Sequence, residues 1–364
     1  TPDAATLNIT TSNGAIINWQ QFGINPGEVT RFLQQGGSAA VLNRVVGGDP
    51  SAILGSLLSN GRVFLINPNG VVFGPNSVVD TAGLVVSTLN MTDDDFIHGR
   101  LNFQGDGSEG AVVNQGAIHA QGSVMLCGPR IENGGLVETA GGGLLLAAGR
   151  GVTITSFENP EIAYQRQEPE NEVVNLGQMI TNGGAASVFA GSIRHSGDID
   201  ANSVVVDENG RVQLVAKSDV HIEAGSNITA DGARGGPIPV QSVEGTVMVE
   251  DATLSATGDS GRGGDIRVLG EQVGLTGTTA IDASGRDGGG QVLIGGDYLG
   301  GNPQVSNARF TFVGEDTRID ANAGATGDGG KVILWADDST RAHGTINATG
   351  GATSGDGGFV EISG

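Results

Sequence analysis

Short repeated segments, each closed by a glycine or asparagine turn, constrain the possible folds of this chain more than any other sequence feature. Residues 114–120 (NQGAIHA) align with residues 133–139 (NGGLVET), so the repeat advances from position 114 to position 133, a step of 19 residues. Each copy runs on into an apolar segment typical of a short strand, at residues 123–126 and 143–147. A recurring unit of strand, turn, strand and turn predicts the rungs of a β-solenoid.

A longer version of the repeat occupies the second half of the chain. Segments that begin with Leu or Ile occur at residues 254–258, 281–285, 319–322 and 346–350, in steps of 27, 38 and 27 residues. Between them, glycine pairs lead into strand-like runs at positions 263–264, 289–290, 329–330 and 357–358. Because glycine adopts positive φ without steric cost, we interpret the pairs as corners that turn an extended chain without interrupting the stack.

These patterns predict an all-β fold, specifically a right-handed parallel β-helix. It is a single-stranded solenoid of three-faced rungs with an amino-terminal β cap and extra-helical β hairpins or loops. We expect one domain over residues 1–364, with the cap over about residues 1–45, the first rungs over about 46–156 and further rungs over about 181–364. No aromatic cluster closes the strand-like run at residues 359–362, so we expect the rungs to continue into a longer fibre.

The segment over about residues 157–180 breaks the glycine rhythm and is predicted to leave the stack. Pro160, Pro169, Tyr164 and the polar run at residues 165–168 favour an extra-helical hairpin or loop packed on the solenoid.

Two segments near the amino-terminal end bear on how the stack begins. Residues 49–58 fit either a short helix that starts at the Asp-Pro-Ser sequence or an ordinary rung. Residues 7–42 hold few glycine pairs and three large aromatic side chains, those of Trp19, Phe22 and Phe32. These predict a cap, because an uncovered solenoid end would pair with the strands of other chains.

The composition excludes several classes of protein. Glycine supplies 64 of 364 residues and proline only 11, without a Gly-X-Y period, which excludes collagen. The formal net charge is −22 and the only lysines are Lys217 and Lys331, so we expect no nucleic-acid partner. No run reaches about 18 apolar residues, so no membrane insertion is expected. The single cysteine, Cys127, has no disulfide partner and is predicted to be a small core residue.

The sequence predicts no enzymatic site, cofactor or metal. The five histidines lie far apart without metal-ligand spacing or a nucleophile motif, at His98, His119, His195, His221 and His343. Carboxylate pairs such as Asp198 with Asp200, or Asp282 with Asp320, are more simply acidic corner residues. The acidic run at residues 93–95 fits a solvated face better than a calcium site.

One motif carries a resemblance to a known family. The sequence FLINPNGVVFG at residues 64–74 predicts a strand, a tight turn at Asn67, Pro68, Asn69 and Gly70, and a second strand. It closely resembles the signature of the two-partner-secretion exoproteins, which include filamentous haemagglutinin, the high-molecular-weight adhesins and related haemolysins.

Further matches extend this resemblance. A second family signature, Asn-Pro-Asn-Leu, is matched by Asn159 and Pro160, whereas the Glu and Ile that follow them depart from it. The family's amino-terminal cap is similar to residues 15–19 and 42–45, which contain Asn18, Trp19, Asn43 and Arg44. Residues 169–177 resemble the adhesin branch, and the resemblance runs over essentially the whole chain.

The resemblance implies that the chain is the amino-terminal secretion domain, or TPS domain, of a large exported adhesin. In this family, periplasmic domains of POTRA type on a partner outer-membrane β-barrel transporter recognise the unfolded chain. The chain then crosses the outer membrane of a Gram-negative bacterium and folds at the cell surface. A secreted protein is therefore expected, with host-cell or biofilm receptors as partners of a missing downstream region.

Two alternatives remain open. The same secretion domain is shared by cytolysins and by contact-dependent toxin-delivery exoproteins. A third hypothesis is a carbohydrate-active or carbohydrate-binding β-helix, which an aromatic-lined groove would support and which the low content of two Trp and two Tyr counts against. Four sequons are candidate glycosylation sites, at Asn8, Asn90, Asn227 and Asn347.

Overall fold

The computed structural model of the protein describes residues 5–105, 107, 110–203 and 210–364. They form two compact units, where the sequence predicted one domain. The first unit contains the chain up to Thr181 together with Phe189–Gly191, and the second contains Asn182–Val188 and Ser192–Gly364. The first four residues of the expected cap, and residues 204–209 of the expected later rungs, lie outside the described residues.

In the first unit the chain visits three parallel sheets in turn and then repeats the circuit one strand further along. Sheet A1 contains β1 (Thr6–Thr10), β3 (Val29–Leu33), β6 (Ser56–Ser59), β9 (Val78–Thr81), β13 (Ala117–Ala120), β16 (Leu136–Thr139) and β21 (Gln178–Ile180). Sheet B1 contains β2 (Ala15–Trp19), β4 (Ala40–Val45), β7 (Arg62–Ile66), β10 (Gly83–Ser87), β14 (Val124–Gly128) and β17 (Leu144–Ala148). Sheet C1 contains β5 (Ser51–Ile53), β8 (Val71–Phe73), β12 (Ala111–Asn114), β15 (Arg130–Asn133) and β20 (Glu172–Asn175).

The first unit also has elements outside the rungs. A short helix, α1 (Asp93–Ile97), precedes an antiparallel sheet D formed by β11 (Leu101–Gln104), β18 (Gly151–Ile154) and β19 (Ile162–Arg166). Strand β22 (Ala185–Ala190) contributes residues to both units.

The second unit repeats the three-sheet circuit. Sheet A2 contains β24 (Asp198–Asp200), β27 (Asn227–Thr229), β30 (Thr253–Ser255), β33 (Ala280–Asp282), β36 (Arg318–Asp320) and β39 (Thr345–Asn347). Sheet B2 contains β25 (Arg211–Ala216), β28 (Pro237–Ser242), β31 (Asp265–Leu269), β34 (Gln291–Ile294), β37 (Lys331–Trp335) and β40 (Phe359–Ser363). Sheet C2 contains β23 (Ser192–His195), β26 (Val220–Ile222), β29 (Thr246–Glu250), β32 (Gln272–Thr276), β35 (Phe310–Val313) and β38 (Ser339–Ala342). A single 3-10 turn spans Tyr298–Gly300.

The strand registers confirm the repeats found in the sequence. Asn114 of β12 pairs with Asn133 of β15, which is the 19-residue step. In sheet A2, four aliphatic residues follow one another in register: Leu254, Ile281, Ile319 and Ile346. Each is paired with its equivalent one rung later, so the three-faced parallel β-helix predicted from the sequence is confirmed in each unit.

The conformational explanation given for the glycine pairs is wrong. None of the eight glycines in the four pairs has positive φ. Their role is close approach, because a Cβ atom on Gly264, Gly290 or Gly330 would collide with the carbonyl oxygen of the equivalent glycine one rung earlier. The pairs let one backbone rest directly on the next.

Of the two alternatives left open for residues 49–58, the structure shows the rung. These residues form strands β5 and β6, and Ile53 and Leu57 both point into the core. One local prediction needs correction. The segment that leaves the stack starts at Gly151, earlier than the predicted residue 157, and ends before β20. Val173 and Met179 are fully buried, and their strands β20 and β21 are ordinary rung strands paired with β15 and β16.

Sheet B1 is apolar on both of its faces. Leu65, Leu84 and Leu126 face the interior, whereas Phe64 and Met125 belong to a second buried cluster on the outer face. Helix α1 and sheet D cover that outer face with Phe96, Phe103, Val152, Ile154 and Phe157. This cover removes an apolar surface from water, which stabilises the fold by roughly 25 cal/mol for each Å² of apolar area covered.

A column of three buried asparagines stabilises the corner between sheets C1 and A1. The Nδ2 group of Asn114 donates to Oδ1 of Asn133 at 2.8 Å, and Asn133 donates in the same way to Asn175 at 2.8 Å. Asn133 is fully buried and also donates to the carbonyl of Gln178 at 3.3 Å.

Replacing the middle residue of this column should cost the domain much of its stability. We expect Asn133→Ala to lower the free energy of unfolding by about 3 kcal/mol, because it removes three hydrogen bonds from a buried site, those with Asn114, Asn175 and the carbonyl of Gln178. Urea unfolding followed by circular dichroism measures the loss. The exposed neighbour of Asn114 supplies the control, Gln115→Ala, which should change stability by about 0.5 kcal/mol or less. Equal stability of the two variants would contradict the role of the column.

Candidate functional site

The Asn-Pro-Asn-Gly motif forms a tight turn between β7 and β8, at the corner where the chain passes from sheet B1 to sheet C1. The amide of Gly70 donates to the carbonyl of Asn67 at 3.1 Å, which closes the turn. Pro68 occupies the position where a fixed φ is favourable, and Gly70 has φ +118°. The Oδ1 atom of Asn67 accepts from the amide of Asn69 at 3.0 Å, so the side chain reinforces the backbone turn.

The two asparagines of the turn have different environments. Asn67 is fully buried, and its Nδ2 group donates to the carbonyl of Asp49 and to Oγ of Ser51, both at 3.0 Å. Asn69 is exposed, and its Nδ2 group donates to the carbonyl of Gly47 at 2.9 Å. Both side chains therefore connect this corner to the corner of the preceding rung, but only Asn69 presents its side chain to solvent.

The second motif lies at the tip of the hairpin formed by β18 and β19. Asn159 is exposed and Pro160 is buried. The hydroxyl groups of Thr155 and Ser156 each donate to the carbonyl of Asn159 at 3.2 Å, which fixes the turn. A Cβ atom on Gly143 would lie 2.5 Å from Cδ of Pro160, so the absence of a side chain there makes room for the proline.

The structure does not bring the two motifs together. The hairpin tip contacts the start of sheet B1, where Arg62 lies over the ring of Phe157 at 4.2 Å and forms an ion pair with Glu158 at 2.8 Å. The Asn67 turn follows the last residue of the same strand, β7. The two Asn-Pro motifs therefore lie at opposite ends of one strand.

The four residues predicted for the cap form two hydrogen-bonded pairs on adjacent strands. Indole Nε1 of Trp19 donates to Oδ1 of Asn43 at 3.0 Å, and the guanidinium of Arg44 donates to Oδ1 of Asn18 at 3.4 Å. Trp19 also packs on Phe22, with ring centroids 5.3 Å apart. The cap is itself a rung, because β1 and β2 pair in parallel with β3 and β4.

Arg44 links this cap to helix α1, which sequence reasoning did not predict. It donates to the carbonyl of Met91 at 2.8 Å and forms an ion pair with Asp93 at 2.6 Å. The three aspartates at positions 93–95 occupy the first turn of α1, where negative charge is favourable. Hydrogen bonds from Arg100 and then Thr92 hold the pKa of Asp95 below its ordinary value. The acidic run is thus a helix start with arginine partners.

Among the described residues of the first unit, the two long insertions leave from one corner. Residues 88–110, with α1 and β11, lie between β10 of sheet B1 and β12 of sheet C1. Residues 149–171, with β18 and β19, lie between β17 of sheet B1 and β20 of sheet C1. The Asn67 turn occupies this same corner in the rung before them. We call this edge of the first unit the B1–C1 corner.

The residues considered as candidate catalytic or metal-binding groups lie in several different parts of the two units. No group of three or more His, Cys, Asp or Glu side chains that could hold a metal ion occurs in the part of the chain that is described. Asp282 and Asp320 are register neighbours, and Asp320 forms an ion pair with Arg318. His119 lies 3.0 Å from the carboxylate of Glu138. Among the described helices, none combines the length and hydropathy needed to cross a membrane.

The four sequons occupy different environments. Asn8 in β1 and Asn227 in β27 are exposed, whereas Asn90 and Asn347 are half-buried. The side chain of Asn347 donates to Oδ1 of Asp320 at 2.8 Å. Glycosylation of these residues stays a prediction.

The chain is similar to proteins of known family and structure. Its sequence matches the family described as the TPS secretion domain over residues 4–233. The crystal structure of the HMW1 secretion domain from Haemophilus influenzae superposes with a TM-score of 0.79 at 34% sequence identity, covering 100% of this chain and 91% of that one.

Two curated relatives have the same printed name. A heme/hemopexin-binding protein of Haemophilus influenzae strain Rd is 28% identical over 237 aligned residues, which cover 59% of this chain and 25% of that protein. A second heme/hemopexin-binding protein of Haemophilus influenzae is 39% identical over 80 residues, covering 22% of this chain and 9% of that protein. The chain thus spans about a quarter or less of the length of these relatives. Because the family match covers more than half of the chain, the chain belongs to the TPS secretion domains of two-partner-secretion exoproteins.

Proposed function

We propose that this domain is the address by which a partner outer-membrane β-barrel transporter recognises an exported protein through POTRA-type periplasmic domains. The protein then passes through the periplasm and the outer membrane to the cell surface. The observation that carries the proposal is the B1–C1 corner of the first unit, which gathers the Asn67 turn and the inserted segments. In solenoids, insertions that leave from one edge commonly form the binding face.

Membership in the TPS family supports this proposal, since the matched residues 4–233 include the whole B1–C1 corner. The corner offers a polar group that a partner protein can contact, because the turn exposes Asn69. The hairpin that leaves from this corner exposes Asn159 at its tip, at the opposite end of β7. Beside Asn159, Arg62 and Glu158 form an ion pair whose glutamate side chain is 66% exposed.

We further propose that the cap starts the folding of the exported chain at the cell surface. Each rung pairs with its immediate neighbours, so rungs can add one after another onto β1 to β4 as the chain emerges. Such local addition avoids the loop-closure entropy that slows folds with long-range contacts. Once the chain has folded outside the cell, it cannot easily pass back through the transporter. Export in one direction therefore needs no chemical energy source.

Substitutions in the turn should separate recognition from stability. We expect Asn67→Ala to lower the free energy of unfolding by about 2 kcal/mol, because it removes buried hydrogen bonds to Asp49 and Ser51. Asn69→Ala, at an exposed position, should cost about 1 kcal/mol or less. Both variants should be exported in smaller amounts and bind the purified periplasmic domains of the transporter more weakly. Secretion into the medium, binding to those domains and urea unfolding are measured for each variant.

The next corner of the same rung supplies a matched control. Asn76 follows Pro75 between β8 and β9, and both residues are exposed. Asn76→Ala should leave export and binding unchanged. If Asn69→Ala behaves like Asn76→Ala in both measurements, the turn is not part of the recognition surface.

For the exported protein as a whole, we propose an adhesin, supported by the resemblance of residues 169–177 to the adhesin branch. A second candidate is a protein that binds heme or hemopexin, supported by the two relatives of that name. Cells that display the full-length protein distinguish the two. An adhesin attaches them to epithelial cells in the absence of hemopexin, whereas the second candidate captures hemopexin from solution.

A further inference from the structure

The outer face of sheet C2 in the second unit carries a groove whose lining residues all follow the family-matched residues 4–233. It has a volume of about 490 Å³ and crosses strands β29, β32, β35 and β38. Its main lining residues are Met248, Gln272, Gly274, Phe310, Phe312 and Arg341. We call it the aromatic groove. With strands about 4.8 Å apart, four strands span roughly 14 Å, which suits a short extended ligand.

The strand register creates this groove. Met248, Gly274, Phe312 and Arg341 are paired in one row across the four strands. Gly274 contributes no side chain, and the thioether end of Met248 lies over it, with Sδ 2.7 Å from the position of an added Cβ atom. Phe310 lies two residues earlier on β35 and therefore points to the same outer face.

Two phenylalanines are exposed here on an otherwise polar outer face. Phe310 is 43% exposed and Phe312 is 41% exposed. The outward positions of the neighbouring strands carry polar side chains such as Thr246, Gln272 and Ser339. Two phenylalanine rings left partly in water lose part of the free energy of apolar burial, and a ligand that covers them would restore it.

Neighbouring side chains hold both rings in place. The guanidinium of Arg309 lies 5.3 Å from the centroid of Phe310 and is itself paired with Asp338 at 2.9 Å. The ring of His343 lies 6.0 Å from that of Phe312. Rings fixed before binding lose little conformational entropy when a ligand arrives.

The groove also has a free positive charge at one end. Arg341 is exposed and has no ion pair or hydrogen bond with any residue that the structure describes. The chain as a whole has a net charge of −22, and Arg341 is the arginine that lines this groove. A guanidinium binds carboxylates with two parallel hydrogen bonds.

We propose that the aromatic groove binds an anionic oligosaccharide. A pyranose ring has an apolar face of C–H groups that stacks on an aromatic ring, as Phe310 and Phe312 allow. Its hydroxyl groups match the side chains of Gln272 and Ser339, and a sugar carboxylate matches Arg341. Low Trp and Tyr content counted against carbohydrate binding, and here two phenylalanines provide the aromatic surface.

Two commercially pure oligosaccharides test the proposal by isothermal titration calorimetry on the whole chain. A hyaluronan hexasaccharide carries carboxylates, whereas chitohexaose, built only from N-acetylglucosamine, carries none. We expect hyaluronan to bind at least about tenfold more tightly, because a charge-assisted pair contributes about 1.5 kcal/mol or more. Arg341→Gln should remove this preference, and Phe312→Ala should weaken binding of both sugars by about tenfold.

Matched controls lie elsewhere in the second unit. Arg286→Gln and Tyr298→Ala alter an exposed arginine and a 49% exposed aromatic residue outside the groove, and both should retain wild-type affinity. All four positions are exposed, so urea midpoints should stay unchanged. Absence of binding at roughly millimolar sugar overturns the proposal, as does equal affinity for the two sugars. A Phe312→Ala variant that changes only the oligomeric state would show instead that a second copy of the chain covers this face.

Discussion

Gly290→Ala should unfold the second unit or lower its free energy of unfolding by at least about 4 kcal/mol, although the change adds one methyl group. The new Cβ atom would collide with the carbonyl oxygen of Gly264 and approach the backbone carbon of Gly263 at 2.6 Å. That oxygen also accepts a hydrogen bond from the amide of Gln291 at 2.9 Å, so moving it would break the pairing of two rungs. No side-chain rotation relieves a clash between a Cβ atom and a backbone.

The expected loss is measured by urea unfolding followed by circular dichroism on the whole chain. Gly301 supplies the control, because its φ is −88° and the nearest atom to an added Cβ lies at 3.6 Å. Gly301→Ala should change stability by about 0.5 kcal/mol or less. If Gly290→Ala is as stable as Gly301→Ala, the close contact between rungs is not what requires the glycine pairs.

These glycines show which part of the fold the sequence predicts and which part it does not. Their spacing located the rungs, since a residue type that recurs at each corner reports the repeat whatever its physical cause. The cause itself was assigned wrongly. Positive φ and close backbone approach both favour glycine, and the sequence does not distinguish a corner at Gly264 from one at Gly225, where φ is +84°.

The candidate site was predicted in part. The turn at Asn67 was evident because Asn, Pro and Gly each have a preferred position in such a turn. The sequence predicted a hairpin or loop packed on the solenoid, but not that it covers sheet B1 together with β11, because β11 pairs with β18 about 50 residues further along the chain. The sequences of β14 and β17 do indicate that sheet B1 is covered, because their residues are all apolar or small, and all of them are buried. Strands without polar alternation are typical of a sheet that is buried on both faces.

The second large effect on stability is expected for a substitution of Phe157, which belongs to the segments that cover sheet B1. Its side chain is 8% exposed and belongs to the outer cluster of sheet B1, with the ring of Phe64 6.3 Å away. Gly83 has no side chain at the place where the Phe157 ring rests on β10. We expect Phe157→Ala to lower the free energy of unfolding by about 3 kcal/mol and to loosen the hairpin of β18 and β19.

Cys127 reports this loosening separately from global unfolding. It lies in the same outer cluster, is fully buried, and burial raises the pKa of its thiol to about 12. In the wild-type protein the thiol should therefore react with a disulfide reagent only when the structure opens, because the thiolate is the reactive form. In Phe157→Ala, labelling should become at least about tenfold faster under conditions where circular dichroism is unchanged.

Tyr164→Ala provides the comparison within the same hairpin, because Tyr164 on β19 is 56% exposed. It should leave both stability and the labelling rate close to those of the wild-type protein. If Phe157→Ala labels as slowly as Tyr164→Ala, the hairpin does not depend on Phe157 to stay docked. If it labels faster, the outer face of sheet B1 depends on a hairpin that follows its last strand, β17. During export this face would then stay open until the residues up to Arg166 have emerged.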